Sequence, residues 1–486
     1  MVVAFRRAMQ TDIANNSTTP TKASKNLNNK HYGITYIAPA DINISNIKLD
    51  GIDILSMYYK QFILIKEKHC YQIIIANPEQ LLSIENDIKN HATSYKFYTT
   101  EHDYLKLTIN QIISKFFYDF STETIDISRL INHIINDANH HSASDIHLEI
   151  SNTACRLRFR IDGILSTITN IPQKLHSAMI SRIKVLAQLD ITEKRKPQDG
   201  HFSFKTYQNL LLECRVSSCP TIFGEKIVIR ILNKKKHALL IHELGMNQTC
   251  QDIFTHTLKQ PQGLILITGP TGSGKTQTLY SALHLLNTDA RNIITLEDPV
   301  EMQLNGINQI NINKKIGLDF SNMLRFILRQ DPDIIMIGEI RDHETAEISF
   351  QAANTGHLVL ATLHTHNAIE TIERLGNLGI QRSTIAQSLQ LIISQRLVRM
   401  LCSCQKTKST ETCLYCTNGY SGRVGIFEFL EKTNSVYQLL NESSSNEELK
   451  KHLSSSLSDA ARHHLNAGNT DQREINRVLG EVNDIF

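Results

Sequence analysis

Two rhythms of apolar and polar positions divide this chain. Between residues 125 and 233 the apolar runs are short and broken. Leu130-Ile131, Ile134-Ile135 and Ala138 recur with helical period. Asp145–Glu149 and Cys155–Ile161 alternate as half-exposed strands, and Asp162-Gly163 supplies a turn after the second. Leu211–Ser217 and Lys226–Leu232 read as two more strands, with Arg156, Arg158, Arg160, Arg215 and Arg230 on polar positions. From residue 263 onward the strands are apolar along their whole length: Gly263–Thr268, Asn292–Leu296, Ile334–Ile337 and Leu358–Thr362. Helical stretches alternate with them, the pattern of a parallel sheet covered on both faces. Upstream, Gln61–Ile65 and Tyr71–Ala76 predict two strands of a smaller α+β unit.

The order that follows is a disordered stretch at 1–29, rich in Asn, Ser, Thr and Lys, then a small α+β domain at 30–118. A middle α+β domain spans 125–233, a linker 234–262 with Lys234-Lys235-Lys236, and an α/β core 263–400. A cysteine segment at 401–431 and a polar helical region at 432–486 complete it. A length of 486 residues exceeds what one core organises. Net charge is only +3, which argues against a dedicated nucleic-acid binder. No apolar run reaches the ~20 residues of a membrane-spanning helix, and the start does not read as a signal peptide. The expectation is a cytoplasmic protein that meets the membrane peripherally, through a partner.

Candidate chemistry sits at the ends of the apolar strands. Gly269-Pro270-Thr271-Gly272-Ser273-Gly274-Lys275-Thr276 fits G-x-x-x-x-G-K-[ST] and stands between a strand and a helix. Its glycines let successive N–H groups turn inward on phosphate oxygens, at a helix N-terminus. Lys275 then reaches the β- and γ-phosphates of a nucleoside triphosphate, and Thr276 holds Mg²⁺. Ile334–Ile337 runs through Gly338 into Glu339, placed to orient or deprotonate water. A second strand runs into Glu297, Asp298 and Glu301, with Glu297 a candidate for holding water. His364, at the end of the next strand, is placed to sense the γ-phosphate; His366 shares its face, but a lone His-x-His is a poor metal site. Cys402, Cys404, Cys413 and Cys416 gather four thiols that suit Zn²⁺, against reduced or redox-active cysteines as the alternative.

Taken together these blocks resemble the secretion ATPase superfamily, the assembly motors of type IV pili and the type II secretion ATPases. The likeness runs over 125–430 and includes Ala143-Ser144-Asp145-Ile146-His147-Leu148-Glu149, Lys194-Arg195-Lys196-Pro197-Gln198-Asp199-Gly200 and Gly224-Glu225-Lys226. Leu328-Arg329-Gln330-Asp331-Pro332-Asp333, Gly338-Glu339-Ile340-Arg341-Asp342 and Thr362-Leu363-His364-Thr365 continue it. The resemblance implies a RecA-like ATPase core after a PAS-like middle domain, and a homo-hexamer with ATP between subunits. It implies Glu339 as catalytic glutamate, Glu297 and Glu301 in an acidic box, His364 in a histidine box, and Arg195 and Arg215 as the arginines that approach the γ-phosphate. It further implies docking on an inner-membrane platform protein and indirect action on pilin-like subunits. His201 and His366 stand where Arg and Asn are usual, and Cys402-Ser403-Cys404 is tighter than the usual pair. These departures keep open a nucleotide-gated regulatory subunit with little turnover. A DNA-translocating ring and a pilus retraction motor stay open beside it.

Overall fold

The computed structural model describes residues 35–37, 62–67, 70–75, 95–100, 104–105, 108–109, 126–232, 238–313, 316–406, 416, 418–442 and 445–480. The stretch 1–29, Lys234-Lys235-Lys236 and Cys413 lie outside them, as does most of 30–118. Three sheets follow one another along the chain. The first joins β1 (Thr35–Tyr36), β2 (Phe62–Glu67), β3 (Cys70–Ile75) and β4 (Tyr95–Thr99) in the order β1-β4-β3-β2.

The second sheet contains β5 (Asp145–Ile150), β6 (Ala154–Ile161), β7 (Ile164–Pro172), β8 (Gln198–Lys205), β9 (Leu211–Thr221) and β10 (Gly224–Leu232). Its order is β7-β6-β5-β10-β9-β8, antiparallel throughout. One face buries Ile146, Leu148, Leu157, Phe159, Cys214 and Ile229 under the helices Ile127–His140 and Gln173–Leu186. Asp126 caps the first helix through its carboxylate. The opposite face carries charge in register: His201 lies across from Arg215, Arg215 from Arg230, Arg230 from Asp145 and Asp145 from Arg160. Period-2 alternation therefore splits this sheet into a core side and a charged side.

The third sheet holds β11 (Gly263–Thr268), β12 (Ile293–Glu297), β13 (Asn308–Asn311), β14 (Ile334–Ile337), β15 (Leu358–Leu363), β16 (Leu389–Leu401) and β17 (Tyr420–Glu431). The order is β13-β12-β14-β15-β11-β16-β17, parallel except for β17. Alternate residues enter two separate cores. Leu264, Leu266, Ile335, Ile337, Val359 and Ala361 face one side, under helices Phe320–Ile327, His343–Asn354 and Ala368–Asn377. Ile265, Ile267, Met336 and Leu360 face the other, under Gln248–Leu258 and Lys275–Leu286. Burial on both faces is why these strands lack alternation.

Two boundaries differ from the sequence reading. The stretch 234–262 is more than a linker: Asn247 caps a helix, Gln248–Leu258, whose Cys250, Phe254 and Leu258 sit four apart and enter the core. The sheet also runs past residue 400, because β17 pairs along β16 out of the cysteine segment. After β17 the chain is helical at Asn434–Asn441, Asn446–Lys450, Leu457–Asn466 and Gln472–Leu479. The second and third sheets touch where the β6–β7 turn meets the start of β17: the Gly422 N–H donates to Asp162 Oδ2 at 2.9 Å. Among the described residues no helix is long and apolar enough to cross a membrane.

Candidate active site

All the chemistry-bearing strands are parallel, so their carboxyl ends reach one rim. β11 lies between β15 and β16 on that rim and opens into the loop 269–274 before the helix Lys275–Leu286. Gly269, Gly272 and Gly274 all take positive φ. At Gly269 a Cβ would stand 2.5 Å from the Gln395 carbonyl oxygen and 2.6 Å from Ser273 Oγ, so only glycine fits. Pro270 and Thr271 are exposed at the loop's crest, and Thr276 is half-buried in the first helical turn.

Lys275 is buried and turned back into the loop. Its Nζ donates to the carbonyl oxygens of Gly269 at 2.8 Å and Pro270 at 3.2 Å. Burial lowers its pKa to about 8, Glu339 opposing the shift and Arg396 adding to it. Ser273 Oγ is buried without a hydrogen-bond partner, as is Thr268 Oγ1 beneath the loop. Unfilled donors, positive-φ glycines of which Gly269 admits no Cβ, and a desolvated ammonium together fit a phosphate chain.

β14 and β15 bring Glu339 and His364 to the same place. Glu339 forms an ion pair with Arg341, and its Oε2 lies 3.5 Å from His364 Nε2. His364 Nδ1 is 3.5 Å from Lys275 Nζ. Burial first, and then the Lys275 charge, lower the histidine's pKa against the pull of Glu339. The imidazole is thus neutral at pH 7, and its two neighbours favour the tautomer with the proton on Nε2, toward the carboxylate. Thr362 donates its hydroxyl proton to the Gly338 carbonyl and ties the ends of β14 and β15 together.

Glu297 is placed differently. It is 3% exposed, and its carboxylate accepts from Thr295 Oγ1 at 2.7 Å, Gln309 Nε2 at 3.0 Å and the Tyr280 hydroxyl. Burial and then this bond push the Tyr280 phenol well up from its ordinary pKa. Glu301 is exposed, and its N–H donates to the Tyr280 oxygen at 3.3 Å. Arg195 and Arg215 belong to the second sheet's region and stand exposed there, Arg195 beside Glu193 at 3.6 Å and Arg215 between His201 and Arg230. The His366 carbonyl accepts from Ser394 Oγ at 3.2 Å and also from Arg396. The Cys402, Cys404 and Cys416 sulfurs lie within 4.8 Å of one another, near the root of the β16–β17 loop.

Sequence reasoning missed the residues that back this site. Gln395, buried on β16, accepts the Thr278 hydroxyl proton at 2.7 Å and walls the loop at Gly274. Arg396 beside it is buried too, its guanidinium donating to the Gln395 carbonyl at 2.9 Å. The available signal was a polar Ser394-Gln395-Arg396 step directly after the apolar Leu391-Ile392-Ile393 run.

The comparisons with known proteins agree with this geometry. The protein transport protein HofB homolog of Haemophilus influenzae is 49% identical over 355 residues, 73% of this chain and 74% of that protein. The type IV pilus assembly ATPase PilB of Acinetobacter baylyi is 38% identical over 478 residues, covering 87% of this chain and 83% of its own length. Among solved structures, the pilus retraction motor PilT with bound ADP superposes with a TM-score of 0.50 at 26% identity, over 71% of this chain and 95% of that one. The Legionella pneumophila ATPase DotB superposes with a TM-score of 0.58 at 21% identity, over 74% of this chain and 97% of that one, and carries the fold alone. The fold is α/β with a RecA-like core, and the family described as type II/IV secretion system protein matches residues 121–477, so the chain belongs to that family.

Proposed function

We propose that this chain is an ATP-hydrolysing motor. It works as a hexameric ring on the cytoplasmic face of the inner membrane and powers extrusion of pilin-like subunits in type IV pilus assembly or type II secretion. One observation carries the ATPase reading: three parallel strand ends gather Lys275, His364 and Glu339 around a glycine loop whose buried donors lack partners. The names of the relatives, a pilus assembly ATPase and a transport protein, support the cargo side. Docking is on an inner-membrane platform protein, and a ring supplies the second half of each site.

Lys275 leaves its own loop carbonyls for the β- and γ-phosphates and offsets the charge that develops on the transferred group. The loop N–H groups and Ser273 fix the chain of phosphates. Thr276 would hold Mg²⁺, which would supply charge neutralisation at the phosphates when nucleotide is bound. Glu339 aims the attacking water, with Arg341 on one oxygen and neutral His364 beside the other. His364 reports the phosphate's presence to Glu339, since it faces both charged groups. Glu297, saturated by three donors, fixes the β12 end that presents the acidic loop. Arg195 and Arg215 approach the γ-phosphate from an adjacent subunit. Cys402, Cys404 and Cys416, whose sulfurs lie together, would hold a structural Zn²⁺, with Cys413 of the same sequence cluster as the candidate fourth ligand.

Steady-state phosphate release tests the reading. Glu339→Gln is expected to keep ATP affinity while turnover falls by about a hundredfold or more. Lys275→Ala is expected to lose both. Wild-type turnover from Glu339→Gln removes its assigned role, and absence of turnover in the wild-type ring favours a nucleotide-gated regulatory subunit.

A further inference from the structure

The loop that carries Lys194-Arg195-Lys196 is exposed, yet a buried lysine holds it. Lys184, in the helix Gln173–Leu186, is 0% exposed. Its Nζ pairs with Glu225 Oε1 at 2.5 Å and donates to the Glu193 carbonyl at 2.7 Å. Glu225 is buried as well and accepts the Ser218 hydroxyl proton at 2.9 Å. A lysine taken out of water has to be matched by a partner and by further hydrogen bonds, and here one of those bonds is spent on a surface loop.

The rest of the loop is tied as closely. Gln198 Nε2 donates to the carbonyls of Asp190 at 3.0 Å and Glu193 at 2.9 Å, while its Oε1 accepts the Asp190 N–H at 2.9 Å. Asp190 Oδ1 takes the Thr192 N–H at 2.8 Å and the Thr192 hydroxyl at 2.7 Å; these bonds hold its carboxyl below the usual range. Glu193 Oε1 accepts the Arg195 N–H at 2.7 Å. The backbone is thus fixed on both sides of Arg195, whose side chain is 89% exposed. Solvated basic loops need no such scaffold; a fixed backbone under a projecting guanidinium is the geometry that aims a charge at an anion.

We propose that Lys184 is a positioning residue for nucleotide hydrolysis. Through Glu193 it sets the backbone from which Arg195 reaches the phosphates bound by an adjacent subunit. This rests on the motor reading above and on the role assigned there to Arg195. Glu225 pairs with Lys184 and directs it toward the Glu193 carbonyl, so the Gly224-Glu225-Lys226 block acts on the loop through one buried contact.

A cycle on the full-length ring tests this. Lys184→Met with Glu225→Leu replaces the whole buried pair, leaving no unmatched charge, so the melting temperature is expected to stay near wild type. Turnover should fall by about tenfold, with KM for ATP changing by less than about twofold. Arg195→Ala should lower turnover by about a hundredfold, and adding it to the Lys184→Met/Glu225→Leu pair should give no further loss beyond Arg195→Ala alone. Asp190→Ala, at an exposed position, repeats the cycle should the buried pair fail to fold, with the same non-additive result expected. Unchanged turnover in the loop variants, or losses that multiply with Arg195→Ala, overturns the proposal. So does wild-type turnover from Arg195→Ala. Wild-type turnover from Lys275→Ala is a different result, and sinks the motor reading itself.

Discussion

Lys275 is the residue whose charge depends most on what it holds. With its pKa lowered to about 8 by burial, it has lost most of its proton in the ligand-free site by about pH 9. A triphosphate favours the ammonium, so binding in that range must return the proton. Calorimetry of nucleotide binding at about pH 9, in buffers of different ionisation enthalpy, is expected to register uptake approaching one proton per site, falling away by about pH 7. No uptake at the higher pH refutes the lowered value. The same shift acts on stability: between about 8 and 10.5 the unfolded lysine keeps its proton and the folded one does not, so this group's contribution to stability rises with pH through that window. Residue types and spacing made Lys275 legible through the glycine motif, and Glu339 and His364 because each follows the end of an apolar strand. Gln395 and Arg396 were not, since their work is done across the sheet, against a loop more than a hundred residues away in sequence. The water-holding role considered for Glu297 rested on its place at a strand end running into acids; spacing gave no hint of the three donors that enclose it.

At the scale of elements, Tyr280 locks the helix after the phosphate loop to the end of β12 through the Glu297 carboxylate. Tyr280→Phe keeps the ring and removes the donor. A buried carboxylate short of one bond costs about 1–3 kcal/mol, so the melting temperature should drop by several degrees. An unchanged melting temperature shows the bond contributes nothing. Strands β11, β14 and β15 and most of β12 were readable from their apolar runs, and the helix Lys275–Leu286 from the spaced Leu279, Leu283 and Leu286 after the glycine motif. β16 escaped because Ser394, Gln395 and Arg396 interrupt the run, although all are buried. Polar residues inside a strand break the periodic signal at the place where the strand meets the site. The helix Gln248–Leu258 escaped for a weaker reason: Thr, Gln and His dilute an apolar stripe carried by Cys250, Phe254 and Leu258.

The whole molecule poses the question of how the second sheet sits on the third, and no periodicity could have answered it: Asp162 and Gly422 are 260 residues apart. The sequence marked Asp162-Gly163 as a turn, with no sign of a contact. In the fold this turn is a contact, its carboxylate accepting the Gly422 N–H and standing 3.7 Å from Arg423 Nε. Both side chains of the ion pair are partly exposed, at 34% for Arg423 and 23% for Asp162, so solvent screens it and its worth is about 0–1 kcal/mol. A contact of that order is strong enough to bias one arrangement of the two sheets and weak enough to part thermally. Asp162→Ala should therefore leave the melting temperature within about a degree or two while amide exchange quickens at Gly422 and in the β6–β7 turn. The amides of β11 and β14 should be unaffected, because neither strand takes part in the contact. Unaltered exchange at Gly422 means the carboxylate does not hold that amide in solution. A large fall in melting temperature means the contact is part of a rigid core and cannot serve as a parting surface.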